Sequence, residues 1–315
     1  MSAAGLSVVA LGGGHGLAAS LSALRRVTGR LTGIVTVADN GGSSGRLRTE
    51  FDVLPPGDLR QAMAALCGDD DWGSTRARVL QHRFDGTGVL AGHSLGNLLI
   101  VALWDLMGPI AGLEWVGRLL GAQGRVLPMA AVPLTIVGDV AGLIPGDPEA
   151  ITTIRGQVQV AGTAGRVRAV RLDPRDPPAF PEVLSAVADA DAVVLGPGSW
   201  FTSVMPHLMV PELAAALRDC SARRILTLNV AAQRGETDGF TPARHLAVLR
   251  EHAPWLRLDA VIVDDAFAGD RNGLDDAAAA CGAEVVVADL VDTTDPAKPR
   301  HDVSKLAAVY AQVLA

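Results

Sequence analysis

One pattern constrains the fold of this chain more than any other. A short β-branched, apolar run gives way to a loop of glycines, and the loop to a segment with helical spacing. Residues 7–11 end in Gly12-Gly13-Gly14-His15-Gly16, and residues 17–27 then carry apolar side chains at helical intervals. Residues 31–38 stop at Asp39-Asn40-Gly41-Gly42-Ser43-Ser44-Gly45, and residues 192–195 stop at Gly196-Pro197-Gly198-Ser199-Trp200-Phe201-Thr202-Ser203. Residues 225–229, 260–263 and 284–288 read as further buried strands separated by helical stretches. Runs apolar on both faces belong to parallel strands covered by helices on each side, joined by right-handed crossovers. The prediction is α/β, a doubly wound and mainly parallel sheet.

The middle of the chain departs from this alternation. Leu54-Pro55-Pro56-Gly57-Asp58 is a break, after which Asp58 is expected to N-cap a helix reaching about Cys67. Helical spacing continues over 72–120, so an α-rich block is expected at about 58–121. Short β-rich runs at 134–137, 158–161 and 167–172 then suggest an antiparallel insertion at about 126–172. With no repeat or linker, 315 residues are expected to form one interrupted domain spanning 1–315.

Charge and residue choice narrow the function. A net charge of −7 argues against a nucleic-acid binder, which needs a basic face. Of the 27 basic residues only Lys298 and Lys305 are lysine, so there is no Gly-Lys-Ser/Thr phosphate loop. Phosphate recognition must fall to backbone N–H groups, hydroxyls and arginine. Cys67, Cys220 and Cys281 are too scattered for a zinc site and suit a reducing compartment. The N-terminus lacks the basic start of a signal peptide. The most apolar stretch, 95–106, carries Asn97 and Asp105 and is too short to span a bilayer. A cytoplasmic location is expected.

The chemistry is expected at the strand ends. Gly12, Gly13, Gly14, His15, Gly16 and Leu17 stand where a helix start would direct N–H groups and its dipole at an anion. The match to a dinucleotide fingerprint is incomplete, because Leu17 occupies the third glycine position, and a plain structural turn is the alternative. Asp39 ends the second strand, where such folds place an acid on a ribose hydroxyl. With Asn40 it could hold ribose or sugar hydroxyls, while Gly41, Gly42, Ser43 and Ser44 could form a second nest. Gly196, Gly198, Ser199, Thr202 and Ser203 form the mirror loop in the other half, a second expected diphosphate contact. Asn229, Gln233, Gly235, Glu236, Thr237 and Asp238 follow the next strand, so polar groups at three strand ends are expected to point toward one crevice. Arg46, Arg48 and Arg60 flank the first loops and could neutralise a diphosphate.

Gly92-His93-Ser94-Leu95-Gly96 spells the G-x-S-x-G of a hydrolase nucleophile elbow, and Ser94, Asp264 and His301 follow the hydrolase order. An elbow needs a buried strand before the serine, whereas residues 94–103 read as a helix start, so the motif is taken as accidental. No residue is assigned a catalytic role.

Taken in order, GGGHGL, ADNGGSSGRLR, LPPGDLRQAMAAL, AGHSLGNLL, GPGSWFTSVMPHL, LNVAAQRGETDGF and a C-terminal RHD make the chain resemble the YvcK/CofD-like family along essentially its full length, within the gluconeogenesis-factor branch. The resemblance implies a Rossmann-like CofD fold that binds a UDP-sugar of the UDP-N-acetylglucosamine type, without a required cofactor. It also implies a regulatory link from gluconeogenic carbon to wall-precursor supply and cell shape, with a protein partner in wall-precursor metabolism; a homo-oligomer is left open. On the matching motifs it adds Gly57, Asp58, Arg60, His93, Asn97, Arg300 and His301 to the ligand site, the last two closing over it from the C-terminal segment. The CofD branch offers an alternative: transfer of a phospholactyl or related phospho group from a nucleotide diphosphate donor, with Asp39 and Asp58 holding Mg²⁺. An NAD(P)-dependent oxidoreductase is a third reading. The chain departs from the family at His15, where many relatives carry a small hydroxyl residue, at Ser94 within the usual GHNLGNLL, and at Trp200-Phe201, which replaces a Leu-Tyr pair.

Overall fold

Apolar runs flanked by glycine turns become strands here because both of their faces are covered. In the computed structural model, which describes residues 3–233, 235–295 and 298–315, β1 (Ser7–Gly12) is followed by α1 (Gly14–Leu24), β2 (Arg30–Val35) and α2 (Gly42–Phe51). A helical block follows, α3 (Gly57–Ala65), α4 (Asp71–Gln81), α5 (Leu95–Met107) and α6 (Pro109–Leu120), then β3 (Arg125–Pro128). Next come β4 (Thr135–Ala141), β5 (Ile151–Arg155), α7 (Gln157–Ala161) and β6 (Arg166–Asp173). The remainder alternates: α8 (Pro181–Ala188), β7 (Ala192–Leu195), α9 (Pro211–Asp219), β8 (Arg223–Thr227), α10 (Pro242–His252), β9 (Ala260–Asp264), α11 (Arg271–Ala279), β10 (Glu284–Ala288) and α12 (Val303–Val313). A wide helical turn, Trp200–Val204, and a tight one, Met205–Met209, join β7 to α9.

The main sheet has seven strands in the order β10-β9-β8-β7-β1-β2-β3, and every pair is parallel. From β1 the chain winds outward through β2 to β3, then returns to β7 on the other side of β1 and winds out to β10. The winding sense therefore reverses between β1 and β7, and open α/β sheets bind ligands outside the strand carboxyl ends at such a reversal. The register pairs Leu11 with both Ile34 and Leu195, so the first and third glycine loops leave the sheet side by side. Val8 to Leu11 and Ala192 to Leu195 are each at most 1% exposed, as a sheet covered on both faces requires.

The chain's single tyrosine, Tyr310 on α12, fastens this arrangement. Its hydroxyl lies 2.5 Å from Ser20 Oγ and 3.0 Å from Thr227 Oγ1, and Ser20 Oγ in turn donates to the Gly196 carbonyl at 3.0 Å. With Ser20 already committed as a donor, the tyrosine must donate to Ser20 and accept from Thr227. Full burial pushes the phenol's pKa up to about 12. One hydroxyl chain thus ties α12, α1 and β8 to the start of the β7 loop.

Three expectations are corrected. Arg125–Pro128 pairs with β2 as the edge of the main sheet, so the β-rich excursion begins only after it; its three strands form a separate antiparallel sheet, β5-β4-β6. Residues 158–161 are helix, not strand: Gly156 turns the chain at φ +105°, and the following turn packs Val160 over Gly138 of β4. A Val-Gln-Val run is too short to distinguish the two periods. Asp58 is not a cap, since Pro56 occupies that position and Asp58 lies within the first turn of α3.

Candidate functional site

A cavity of about 590 Å³ opens at the sheet reversal, lined by the Gly13–Gly16 loop, Gly198, Ser199, Ser203, the 229–233 segment after β8 and the 299–301 segment before α12. Of the sequence-predicted site residues it gathers Gly13, Gly14, His15, Gly16, Gly198, Ser199, Ser203, Asn229, Gln233, Arg300 and His301. The titratable side chains on its wall are His15, Arg300 and His301, and no carboxylate is among them. A larger cavity, about 630 Å³, lies between α2 and α5; its lining is mostly apolar, and none of the glycine loops reaches it.

Two close approaches build the anion-facing loop. A Cβ on Gly16 would lie 2.5 Å from Gly198 Cα and closer still to the Pro197 carbonyl oxygen, so the start of α1 and the β7 loop touch backbone to backbone. A Cβ on Gly13 would lie 2.7 Å from Asp58 Oδ2 and 3.1 Å from Ser203 Oγ. Gly13 caps α1 with no side-chain bond, and the N–H groups of His15 and Gly16 meet no acceptor among the described residues. These are the donors an anion requires.

The mirror loop is built differently from the sequence expectation. Glu236, expected only as one of the polar groups after β8 that face the crevice, is 4% exposed, and its carboxylate accepts from Ser199 Oγ and from the Phe201 N–H at 2.7 Å. Thr202 Oγ1 donates to Ser199 Oγ at 2.6 Å. The chain's own acid therefore occupies the N-terminus of the 200–204 turn, and neither Ser199 nor Thr202 keeps its hydroxyl proton free for a phosphate. Burial raises the pKa of Glu236, opposed by the bonds from Ser199 and Phe201. Asn229 is likewise committed: Oδ1 accepts from Gly198 N and Nδ2 donates to Gly198 O, both at 2.9 Å. Thr237 accepts from Gln233 N at 2.8 Å and braces that loop.

The residues expected from the second loop gather behind the first, not on the cavity wall. Arg60 Nε donates to Asn97 Oδ1 at 2.9 Å, Asn97 Nδ2 donates to Ser43 Oγ at 3.0 Å, and Ser43 Oγ lies 3.0 Å from His93 Nδ1. Ser43 also accepts from Ser94 N at 3.4 Å, so its own proton goes to Nδ1, and His93 carries its hydrogen on Nε2. This chain joins α2, α3 and α5. Gly42, Ser43 and Ser44 belong to the first turn of α2. Asp39 accepts from Gly41 N at 2.9 Å, and a Cβ on Gly57 would lie 2.7 Å from its Oδ2. Asn40 is spent on α7, donating to Gln159 Oε1 at 2.9 Å and accepting from Val158 N at 3.1 Å. Arg46 and Arg48 donate to the carbonyls of Ala91 and Leu134. Gly12 ends β1, Leu17 is core, and Gly196 lies at the start of the β7 loop.

Electrostatics mark Asp58. Burial first and the Asp39 charge second push its pKa up to about 7, against the opposing Gly14 N–H and Arg60. Burial lowers Arg60 to about 10. His301 donates Nε2 to the Leu228 carbonyl at 3.1 Å, and burial takes it down to about 4, so it is neutral at physiological pH. The hydrolase constellation is not assembled: Ser94 Oγ is buried with no partner at the start of α5, Asp264 accepts from Ala266 and Leu290 N–H groups, and His301 is held by Leu228.

Comparison with known proteins matches residues 8–302 to the family described as 2-phospho-L-lactate transferase CofD. The chain belongs to this family. As a CofD-family protein it is 54% identical over 312 residues to a Mycobacterium tuberculosis (strain CDC 1551 / Oshkosh) protein named "Putative gluconeogenesis factor", covering 98% of this chain and 90% of that one. It is 37% identical over 258 residues to the "Gluconeogenesis factor" of Halalkalibacterium halodurans, covering 82% and 77%. The crystal structure of protein BH3568 from Bacillus halodurans superposes with a TM-score of 0.84 at 31% identity, covering 98% of this CofD-family chain and 99% of that one. No described helix is long and apolar enough to cross a membrane.

Proposed function

We propose that this CofD-family chain is a regulatory protein that binds a UDP-sugar of the UDP-N-acetylglucosamine type, coupling carbon metabolism to wall-precursor supply and cell shape. The observation that carries the reading is the uncapped start of α1 at the sheet reversal. Its His15 and Gly16 N–H groups face a cavity of about 590 Å³ whose wall bears Arg300 and no carboxylate. That is the chemistry of an anion seat in a chain with almost no lysine, at a volume suited to a small metabolite. The relatives' names support the link to gluconeogenesis. Ligand at a hundred times its Kd should stabilise the protein by about 2.7 kcal/mol. For a chain of this length that is a rise in melting temperature of about 4 °C. A folded sample that shows no shift with UDP-N-acetylglucosamine or any other UDP-sugar would overturn the reading.

A second reading, phospho-group transfer from a nucleotide diphosphate donor, is favoured by the family model. Mg²⁺ takes one or two carboxylates together with substrate phosphates, whereas Asp58 is buried behind Gly13 and Asp39 stands against Gly57, both off the cavity wall, so these two acids do not fit an ion shared with a phosphate in this crevice. Phosphorus NMR of protein, Mg²⁺, nucleotide donor and acceptor separates the two readings, because a sensor leaves the donor unchanged.

A further inference from the structure

One guanidinium on α3 is buried without a counter-charge. Arg60 is 4% exposed and takes part in no ion pair among the described residues, whereas Arg25, whose side chain is comparably hidden at 7%, is paired with Asp69. The Arg60 Nε is spent on Asn97 Oδ1, and its Nη1 and Nη2 meet no acceptor among the described residues. Neither nitrogen is sealed in. Partnerless atoms cut off from solvent occur at Ser94 and Trp104, among others, but the Arg60 nitrogens are not of that kind, so an incoming group can reach them. A cation taken out of water is unfavourable unless an anion joins it, and arginine is rarely buried unpaired. A hidden guanidinium whose fork alone meets solvent is a place for a counter-ion.

Its surroundings favour an anion. Asn97 links the guanidinium to the start of α2, since its Nδ2 donates to Ser43 Oγ at 3.0 Å. There Gly41 caps the helix with no side-chain bond, and the N–H groups of Gly42, Ser43 and Ser44 meet no acceptor among the described residues. The ten residues of α2 add their dipole to these donors. Two further arginines hold the neighbouring loop, Arg83 Nη1 on the Gly92 carbonyl at 2.9 Å and Arg46 Nη2 on the Ala91 carbonyl at 2.7 Å. The Arg83 charge joins burial in lowering the Arg60 pKa, against Asp58 and Asp39. Neither acid comes within ion-pair distance of Arg60, and the Asp58 carboxyl is turned toward Gly13 and Gly14. Arg60, Ser43 and Asn97 all lie off the wall of the crevice described above.

We propose that Arg60 and the open start of α2 form a second seat, for one compact oxyanion, apart from the crevice. The fork of a guanidinium matches two oxygens of a phosphate or of a carboxylate equally well, and the test distinguishes these sources. Asn97 fixes the fork from one side by holding Nε, which leaves the two outer nitrogens to the ligand. The seat stands whether or not the crevice takes a UDP-sugar.

The experiment uses the full chain with Arg60→Gln, Gly16→Ala and the double variant, measuring melting temperature and the calorimetric binding of inorganic phosphate and of acetate at constant ionic strength. Glutamine places its amide nitrogen where Nε stood, so the bond to Asn97 survives and only the unpaired head is lost. Ligand-free melting of Arg60→Gln should therefore stay within about 3 °C of the wild type or rise. Wild-type protein should bind phosphate at both seats. Arg60→Gln should weaken one of these, its Kd rising about tenfold or more, while Gly16→Ala keeps that one and weakens the other. At the seat that Arg60→Gln removes, phosphate bound in preference to acetate assigns a phosphate group, and the reverse assigns a carboxylate. Arg60→Gln that binds both anions as the wild type does, Gly16→Ala that loses every site, wild-type protein that binds neither anion, or a larger fall in the ligand-free melting temperature of Arg60→Gln would each overturn the assignment.

Discussion

Replacing Asp58 with asparagine separates the charge of this carboxyl from its shape. The side chain is buried against Gly13 and Gly14, and burial together with Asp39 lifts its pKa from 3.8 to about 7. An acid whose folded pKa exceeds its unfolded value binds its proton more tightly when folded. Its contribution is therefore full below the unfolded pKa and is lost as pH rises through the folded one. At 1.36 kcal/mol per pKa unit the whole effect is about 4 kcal/mol, of which about 2–3 kcal/mol falls between pH 5 and pH 8. Asp58→Asn cannot ionise and loses that slope. With a melting entropy of about 2.1 cal/mol/K per residue, the variant should gain about 4 °C on the wild type between the two pH values. The same proton governs the crevice: a neutral side chain behind Gly14 leaves a bound diphosphate unopposed, so wild-type affinity should fall from pH 6 to pH 8 and that of Asp58→Asn should not. Paired thermal melts and calorimetric titrations at each pH measure both effects. A melting-temperature difference between the two proteins that is the same at pH 5 and pH 8 would refute the assignment of a raised pKa.

Gly16→Ala places a methyl group against the Pro197 carbonyl and Gly198 Cα, neither of which is a flexible side-chain end, so the α1 start and the β7 loop must separate. Overpacking of this kind costs about 1–3 kcal/mol, or about 2–5 °C, and should weaken diphosphate binding at least tenfold; wild-type melting and affinity would contradict the backbone contact. Glu236→Ala strands the Ser199 hydroxyl and the Phe201 N–H, and should lower stability in urea titrations by about 1–3 kcal/mol. Glu236→Gln keeps an acceptor and should retain most of that stability, so an alanine variant as stable as the wild type would show that the acid does not cap the turn.

The main sheet was legible because its signal is local. Val8 to Leu11 and Ala192 to Leu195 are apolar without interruption and end in glycine, which only a strand buried on both faces explains. Arg125–Pro128 was not legible as a strand of that sheet, since its membership is set by pairing with β2, about ninety residues earlier, and not by its own four residues. The turn at 157–161 failed for the opposite reason: its apolar positions fit either period, and a glycine at φ +105° together with Val160 packing on Gly138 decided it. Glu236 read only as one of several polar groups after β8 directed at the crevice. Nothing in its neighbourhood announces that the fold will fill the start of the 200–204 turn with its carboxylate.

That carboxylate changes how the glycine loops divide their work. Two strand ends meet at the sheet reversal, and sequence alone offers both as anion seats. At one, Glu236 already accepts the Phe201 N–H; at the other, the Asp58 carboxyl is set against the Gly14 N–H. The donors left over are those of His15 and Gly16, supplemented by Arg300, whose guanidinium is shared with Asp292 at 2.8 Å. An anion in this crevice is thus seated by one helix start rather than two. The β7 loop acts as its wall, held against Gly16 at a separation only glycine permits and locked by Asn229 from behind.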